Sequence, residues 1–208
     1  MLAAHELSYR RDGQQILTGI GLSVAAGQSL AVTGPSGSGK TSLLAILAGL
    51  IAPTAGIVRI DGKPVTRFTR PADGVSVVLQ GYGLVALLTA AENVEVALWA
   101  AGCPPAAARS ESRAALKRLG LLPQAEQLVH QLSGGQQQRT AVARALALKP
   151  RLLIADEPTA ELDPDARAVT LDQLFATVQD GAAMVLATHD PEVSDRCDLL
   201  LDLSSTGG

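Results

Sequence analysis

The spacing of apolar residues predicts strands that alternate with helices along most of the chain. Near-continuous apolar runs at Ser29–Thr33, 151–155 and Ala183–Ala187 are typical of strands covered on both faces of a parallel sheet. Shorter strands are expected at 75–79 and 199–203. Apolar residues with helical spacing predict helices at 42–50, 136–148 and 165–178. This alternation indicates an α/β fold with a mainly parallel sheet.

The N-terminal quarter of the chain has a different pattern. Short apolar or alternating runs at 2–8, 16–24 and 57–60 are bounded by turn signals such as Asp12-Gly13 and Asp61-Gly62. Runs of this kind predict antiparallel strands, and residues 57–60 form one side of an expected hairpin.

The segment 84–130 is helical in its apolar spacing, with helices expected at 91–100 and 106–119. No strand-like run interrupts this segment, so we interpret it as an inserted helical lobe. The chain of 208 residues is then a single domain, in which 1–83 and 131–208 contain the antiparallel β-subdomain and the parallel-sheet core.

Composition narrows the range of partners. The chain is 47% hydrophobic and only 2% aromatic, so Leu, Val, Ile and Ala must form its core. The formal net charge is −3 and no basic patch is visible, which predicts no nucleic-acid partner. The longest apolar run, 43–53, is shorter than the ~20 residues that span a bilayer. We therefore expect any membrane role to come through a partner protein.

Residues 34–42 read GPSGSGKTS and match the phosphate-binding pattern GxxxxGK[ST] at every fixed position. The glycines allow a tight turn that aims backbone N–H groups at the α- and β-phosphates of a nucleotide. Lys40 can reach the β- and γ-phosphates, and the Thr41 hydroxyl is placed to ligate Mg²⁺. A flexible Gly/Ser loop is the alternative, but the flanking strand and helix favour an anion site at a helix N-terminus. The predicted nucleotide contacts are Gly34, Pro35, Ser36, Gly37, Ser38, Gly39, Lys40, Thr41 and Ser42.

Two carboxylates, Asp156 and Glu157, follow a strand predicted to be buried. The carboxyl ends of strands are where open α/β sheets bind ligands. Asp156 suits the Mg²⁺ site opposite Thr41. Glu157 suits a water beside the γ-phosphate, which it could orient and deprotonate.

A second helix N-terminus is predicted at LSGGQQQR, residues 132–139. Its hydroxyl and two glycines could bind an anion, although Ser133 could equally serve as an ordinary N-cap. One nucleotide rarely needs two such sites. A two-fold dimer accounts for both, because each chain would offer its second site to the γ-phosphate bound by the other chain.

The order GPSGSGKT, Gln80, LSGGQ, ADEPT, Asp163 and His189 resembles the nucleotide-binding subunit of ATP-binding cassette (ABC) transporters over essentially the whole chain. The resemblance implies a P-loop ATPase core, ATP and Mg²⁺ as cofactors, and a second copy or a related cassette as partner. The segments AENV, GGQQQRTAVARALA and ADEPTAELD are most similar to the subgroup that serves lipoprotein-releasing and macrolide-export-type permeases.

The resemblance also implies roles for single residues. Glu157 is the catalytic base, His189 contacts the γ-phosphate, and Lys40 holds the phosphates. Gln80 belongs to the metal site and links it to the membrane partner. The residues implied to meet the ATP of the other subunit, or to lie at the dimer interface, are Ser133, Gly134, Gly135, Gln136 and Asp163.

Two departures from the family pattern concern the adenine and the turn before Asp163. The usual aromatic residue that stacks on adenine aligns with Arg11, and Tyr9 lies two residues earlier. Both side chains would share one strand face, and either could cover the base. The turn reads Ala160-Glu161, where relatives more often carry Ser-Ala or Gly-Asn, and we expect little consequence because Asp163 is kept.

The implied function is an ATPase subunit that drives a separate membrane permease from the cytoplasmic face of the membrane. Tyr82, Leu84 and Leu87 are candidates for the groove that receives the permease, and core packing of the lobe is the alternative. A module that signals across the membrane without transport would use the same cassette. A DNA- or ribosome-associated ATPase is disfavoured by the short acidic chain, and a P-loop kinase or GTPase by LSGGQ.

Overall fold

The structure is a computed structural model that describes residues 1–65 and 74–205. Within these residues the chain forms nine strands and six α-helices. The strands are β1 (Leu2–Arg11), β2 (Gln14–Val24), β3 (Ser29–Thr33), β4 (Ala55–Ile60), β5 (Lys63–Pro64), β6 (Val75–Val78), β7 (Leu152–Asp156), β8 (Ala183–Ala187) and β9 (Leu199–Asp202). The helices are α1 (Lys40–Leu47), α2 (Ala90–Ala100), α3 (Pro105–Arg118), α4 (Gly134–Ala147), α5 (Pro164–Gln179) and α6 (Pro191–Ser194).

The strands form two sheets, and the predicted α/β class is confirmed. One sheet has the order β6-β7-β8-β3-β9, and its β7–β8, β8–β3 and β3–β9 pairs are parallel. The other has the order β2-β1-β4-β5 and pairs its strands antiparallel. Every residue of β7 and β8 is buried, as predicted for strands covered on both faces.

The chain divides into two compact units. The sheet unit comprises Met1–Val77, Arg151–Glu157 and Val178–Gly208, within the described range. The helical unit comprises Val78–Pro150 and Pro158–Thr177. The predicted lobe at 84–130 lies wholly inside the helical unit, and its proposed boundaries stay a prediction.

The sheet unit is built around one aliphatic cluster. It includes Leu30 and Val32 of β3, Ile154 of β7 and Val185 of β8, together with the buried face of α1. Removal of this apolar surface from water is the main stabilising term, at about 25 cal/mol per Å². The expected hairpin after residues 57–60 is β4–β5, with Ile60 opposite Lys63.

The helical unit contains α2, α3, α4 and most of α5, and its first three helices pack on one another. Thr89 and Glu92 form a capping box that begins α2. Buried Asn93 accepts from the Val85 amide at 2.7 Å and donates to the Val85 carbonyl at 3.1 Å. These bonds hold the segment before α2. In the described part of the chain, no helix has the length and apolar character needed to cross a membrane.

Several predicted boundaries were wrong by two or three residues. Helix α1 begins at Lys40 and not at 42, because the phosphate loop itself turns into the helix. Helix α4 begins at Gly134 and not at 136, because Ser133 caps it. Strand β1 continues to Arg11 and β2 begins at Gln14, since their pairing extends to the turn.

Candidate nucleotide site

The phosphate loop joins β3 to α1 and depends on its glycines. Gly34 and Gly39 have φ angles of 140° and 95°, which favour glycine. A Cβ at Gly39 would lie 2.9 Å from Leu17 Cδ2 and 3.0 Å from Ile16 Cγ2. Strand β2 therefore presses on the loop, and only a residue without a side chain fits there.

Lys40 and Ser38 show that the loop is suited to phosphate. Lys40 Nζ donates to the carbonyls of Gly34 at 2.7 Å and Pro35 at 3.0 Å. Ser38 Oγ is buried and has no hydrogen-bond partner among residues 1–65 and 74–205. A buried hydroxyl without a partner is unfavourable, so an oxygen of a bound phosphate would satisfy it.

The candidate metal site is the pair Thr41 and Asp156. Thr41 Oγ1, in the first turn of α1, donates to Asp156 Oδ2 at 2.6 Å. Asp156 is the last residue of β7 and is 4% exposed. Mg²⁺ usually binds a few protein oxygens together with substrate phosphates and waters, and this oxygen pair beside the phosphate loop fits it.

Glu157 and His189 meet at the same sheet edge. His189 Nδ1 lies 2.9 Å from Glu157 Oε1, and the imidazole is 72% exposed while the carboxylate is 22% exposed. The Glu157 amide donates to Ala187 O, and the Thr188 amide donates to Val32 O. The ends of β3, β7 and β8 are thus in register, which brings together residues that are far apart in sequence.

The end of the β1–β2 hairpin carries the two adenine candidates. Tyr9 is partly buried against the core cluster and pairs with Leu17, the residue that presses on Gly39. Arg11 is exposed, with its Nε 3.6 Å from Asp12. The register of the β1–β2 pairing shifts between Tyr9 and Arg10. The prediction that Tyr9 and Arg11 share one strand face depends on a regular alternation of side chains, and this shift interrupts that alternation.

The predicted second anion site lies at the N-terminus of α4 in the helical unit. Ser133 and Gln136 form a capping box, in which Ser133 Oγ accepts from Gln136 N at 3.3 Å and Gln136 Oε1 accepts from Ser133 N at 2.9 Å. The capping alternative for Ser133 is therefore confirmed. Contact of Ser133, Gly134, Gly135 and Gln136 with a nucleotide stays a prediction.

Gln80 and Asp163 also belong to the helical unit. Gln80 is exposed in the turn after β6. Asp163 Oδ1 accepts from Ala166 N at 2.9 Å and so caps the first turn of α5. The metal role of Gln80 and the interface role of Asp163 stay predictions.

Sequence reasoning missed one anchoring residue, Arg144 of α4. Its guanidinium donates to the carbonyls of Tyr82 at 2.8 Å and Gly83 at 2.5 Å. Burial lowers the pKa of Arg144 from its ordinary value. An arginine between Ala143 and Ala145 in an otherwise apolar stretch was the available signal, because such a charge needs buried acceptors.

The parallel sheet, the phosphate loop and the strand-end carboxylates define a P-loop nucleotide-binding domain of the ATPase class. The family model for ABC transporters matches residues 17–160. With LSGGQ at the start of α4, this match settles the family. The chain belongs to the ABC transporter family, as one of its ATP-binding cassettes.

Individual relatives agree with this membership. The ABC transporter ATP-binding protein YbbA of Escherichia coli is 41% identical, over 96% of this chain and 87% of YbbA. The lipoprotein-releasing system ATP-binding protein LolD of Maricaulis maris is 43% identical, over 89% of this chain and 84% of LolD. The predicted resemblance to the lipoprotein-releasing subgroup is consistent with LolD. The chain spans 58% of the length of its mycobacterial relatives, at 41% identity.

Solved structures show the same fold. The ATP-binding cassette MJ0796, in a dimeric post-hydrolysis state bound to ADP and Pi, superposes with a TM-score of 0.89 at 32% identity. The superposition covers 97% of this chain and 94% of MJ0796.

Proposed function

We propose that this chain is the ATP-binding and ATP-hydrolysing subunit of an ABC transporter. Two copies, or this chain and a related cassette, dimerise around two ATP molecules and drive a conformational change in a separate membrane permease. The chain then lies peripherally at the cytoplasmic face of the membrane. The observation that carries the proposal is the sheet edge where the phosphate loop, the Thr41–Asp156 pair and the Glu157–His189 pair occur together.

ATP binding rests on the phosphate loop. The loop amides, the buried Ser38 hydroxyl and the Lys40 ammonium group bind the phosphate oxygens. The hairpin end next to Gly39 provides the adenine contact, where Arg11 offers an exposed planar guanidinium and Tyr9 a partly buried ring.

Thr41 and Asp156 would hold Mg²⁺, and the family resemblance implies Gln80 as a further ligand. When bound, the ion neutralises charge that develops on the phosphate oxygens. Asp156 accepts a hydrogen bond from Thr41 Oγ1, so the two oxygens already face one another.

Hydrolysis rests on Glu157 as the base that accepts a proton from the attacking water. His189 holds one carboxylate oxygen of Glu157 through Nδ1 and thereby orients it. For His189 to donate from Nε2 to a phosphate oxygen at the same time, both ring nitrogens must carry protons.

Dimerisation accounts for the second anion site at Ser133–Gln136, with Asp163 at the interface. Because MJ0796 is dimeric in its ADP- and Pi-bound state, a dimer is the expected working form. Permease contact is supported by apolar side chains of the helical unit that face solvent. Among the sequence candidates Leu87 is 80% exposed, while Tyr82 and Leu84 are half-buried.

The test compares the wild-type chain with Glu157→Gln in ATP binding, hydrolysis and oligomeric state. We expect Glu157→Gln to retain ATP binding, lose hydrolysis and accumulate as an ATP-bound dimer in sedimentation experiments. Glu111→Gln, which neutralises a carboxylate on α3, is the matched control and should behave as wild type. Chelation of Mg²⁺ should stop hydrolysis by the wild-type chain.

The proposed partnership with a permease is tested by purifying the tagged chain from membranes and identifying the integral membrane protein that co-purifies with it. A chain that neither binds ATP nor hydrolyses it with that partner contradicts the proposed function. A Glu157→Gln variant that stays monomeric with saturating ATP contradicts the dimer.

A further inference from the structure

Glu161 lies against the first turn of α4, although its sequence position suggested little consequence. A Cβ built at Gly134 would overlap Glu161 Oε2, and one built at Gly135 would lie 2.9 Å from Glu161 O. The Glu161 amide donates to Gln138 Oε1 at 3.0 Å. Both the backbone and the carboxylate of Glu161 are therefore packed on the glycines that begin α4.

Tyr82 is close to the same carboxylate. Burial, followed by the nearby Glu161 carboxylate, raises the pKa of Tyr82 to about 12. The main chain at Tyr82 is fixed in turn, because Arg144 donates to its carbonyl at 2.8 Å. The Glu161 carboxylate thus has a defined place beside the helix N-terminus.

The electrostatics of this place favour a negative charge. The N-terminus of a helix carries partial positive charge from its aligned peptide dipoles, so a carboxylate there is stabilised. The same helix N-terminus, at Ser133–Gln136, is where the proposed dimer would receive the γ-phosphate of the other subunit. Two anions at one helix N-terminus repel each other and cannot share its N–H groups.

We propose that Glu161 is an autoinhibitory side chain whose carboxylate lies beside the N-terminus of α4 and must be displaced when a second subunit brings its nucleotide there. This inference rests on the proposed function. The contact of Glu161 with Gly134 then competes with ATP-dependent dimerisation and favours the monomer.

The test measures the dissociation constant of the ATP-bound dimer by sedimentation, in the Glu157→Gln background that prevents hydrolysis. Glu161→Gln removes the charge but keeps the size of the side chain. Each contact between a carboxylate and a helix N-terminus corresponds to about a two- to fivefold effect, and the dimer contains two of them. We therefore expect Glu161→Gln to tighten the dimer about tenfold.

Two comparisons separate this role from a structural one. Glu126→Gln neutralises another carboxylate of the helical unit, paired with Arg113, and should leave the dimer unchanged. Tyr82→Phe removes the hydroxyl near Glu161 but keeps the charge of Glu161, and should tighten the dimer by a smaller factor. ATP binding by the monomer, measured by calorimetry, should be the same in all variants.

An unchanged or weaker dimer in Glu161→Gln overturns the autoinhibitory role, and the proposed function stands as long as the background variant still dimerises. If the background variant and Glu161→Gln both bind ATP but remain monomeric, the proposed dimer fails and the inference fails with it. Circular dichroism melting curves confirm that each variant is folded.

Discussion

The chain contains two helix N-termini suited to anions, and they are organised in opposite ways. Helix α1 has Gly39 as its N-cap, in a left-handed conformation and without a side-chain cap bond, and Lys40 supplies a positive charge. Helix α4 has Ser133 as its N-cap, and a capping box with Gln136 satisfies one amide of the first turn. Glu161 adds a negative charge there.

This difference indicates that the two anion sites depend on a partner subunit to different degrees. The first site presents open donors and a cation, so it can bind phosphate within one chain. At the second site a side-chain cap already takes one first-turn amide and a carboxylate lies beside the helix, so a phosphate must compete with them. A site of that kind is expected to bind its anion only when dimerisation contributes further contacts.

The largest effect is expected from Lys40→Ala, which removes the cation from the open site. ATP affinity should fall by about 10- to 100-fold, as expected for loss of charge-assisted hydrogen bonds to phosphate. Titration calorimetry measures it, with exposed Lys63→Ala as the control for lost charge. Unchanged affinity in Lys40→Ala would remove the basis for treating the α1 site as the primary one.

The second-largest effect tests whether the phosphate loop at the N-terminus of α1 depends on its backbone conformation. Gly39→Ala combines the strain of a positive φ with a collision against Leu17, so the free energy of unfolding should fall by about 2–4 kcal/mol. Gly37→Ala has φ 83° but nothing within 4 Å of the added Cβ, and should cost about 1–2 kcal/mol. Urea unfolding measures both, and equal losses would contradict the close packing of β2 on the loop.

A third prediction separates capping from ligand binding at the second site. Ser133→Ala and Thr89→Ala each remove the cap of an equivalent capping box and should each lower stability by about 1 kcal/mol. Only Ser133→Ala should also weaken the ATP-bound dimer in the Glu157→Gln background. The dimer affinity should fall about tenfold, because each dimer contains two such sites. If both variants weaken the dimer equally, Ser133 acts as a cap alone.

The smallest effect concerns the carboxylate that covers the second site. Tyr82 should titrate near its raised pKa of about 12, and Tyr9 is the only other tyrosine in the sequence. A raised pKa stabilises the folded state below pH 10, and this contribution is lost as the pH rises toward 12. Phenolate absorbance should show a lower midpoint in Glu161→Gln, and an unchanged midpoint would mean that burial alone causes the shift.

Much of the first site could be predicted from local sequence. GPSGSGKTS specifies a phosphate loop because glycine dihedrals and a helix N-terminus are properties of neighbouring residues, and the structure has this loop at 34–39, followed directly by α1 from Lys40. The buried strands were predicted from their apolar runs for the same reason. The sequence also indicated that Asp156 and Glu157 stand at the end of a strand.

Tertiary structure determined which side chains pair at the candidate nucleotide site. Thr41 and Asp156 are 115 positions apart, and the parallel register of β3, β8 and β7 brings them within 2.6 Å. The contact of Glu161 with Gly134 was not predicted, since it depends on how the turn before α5 packs on α4. A motif determines which groups a segment can present, but strand register and packing determine which groups meet.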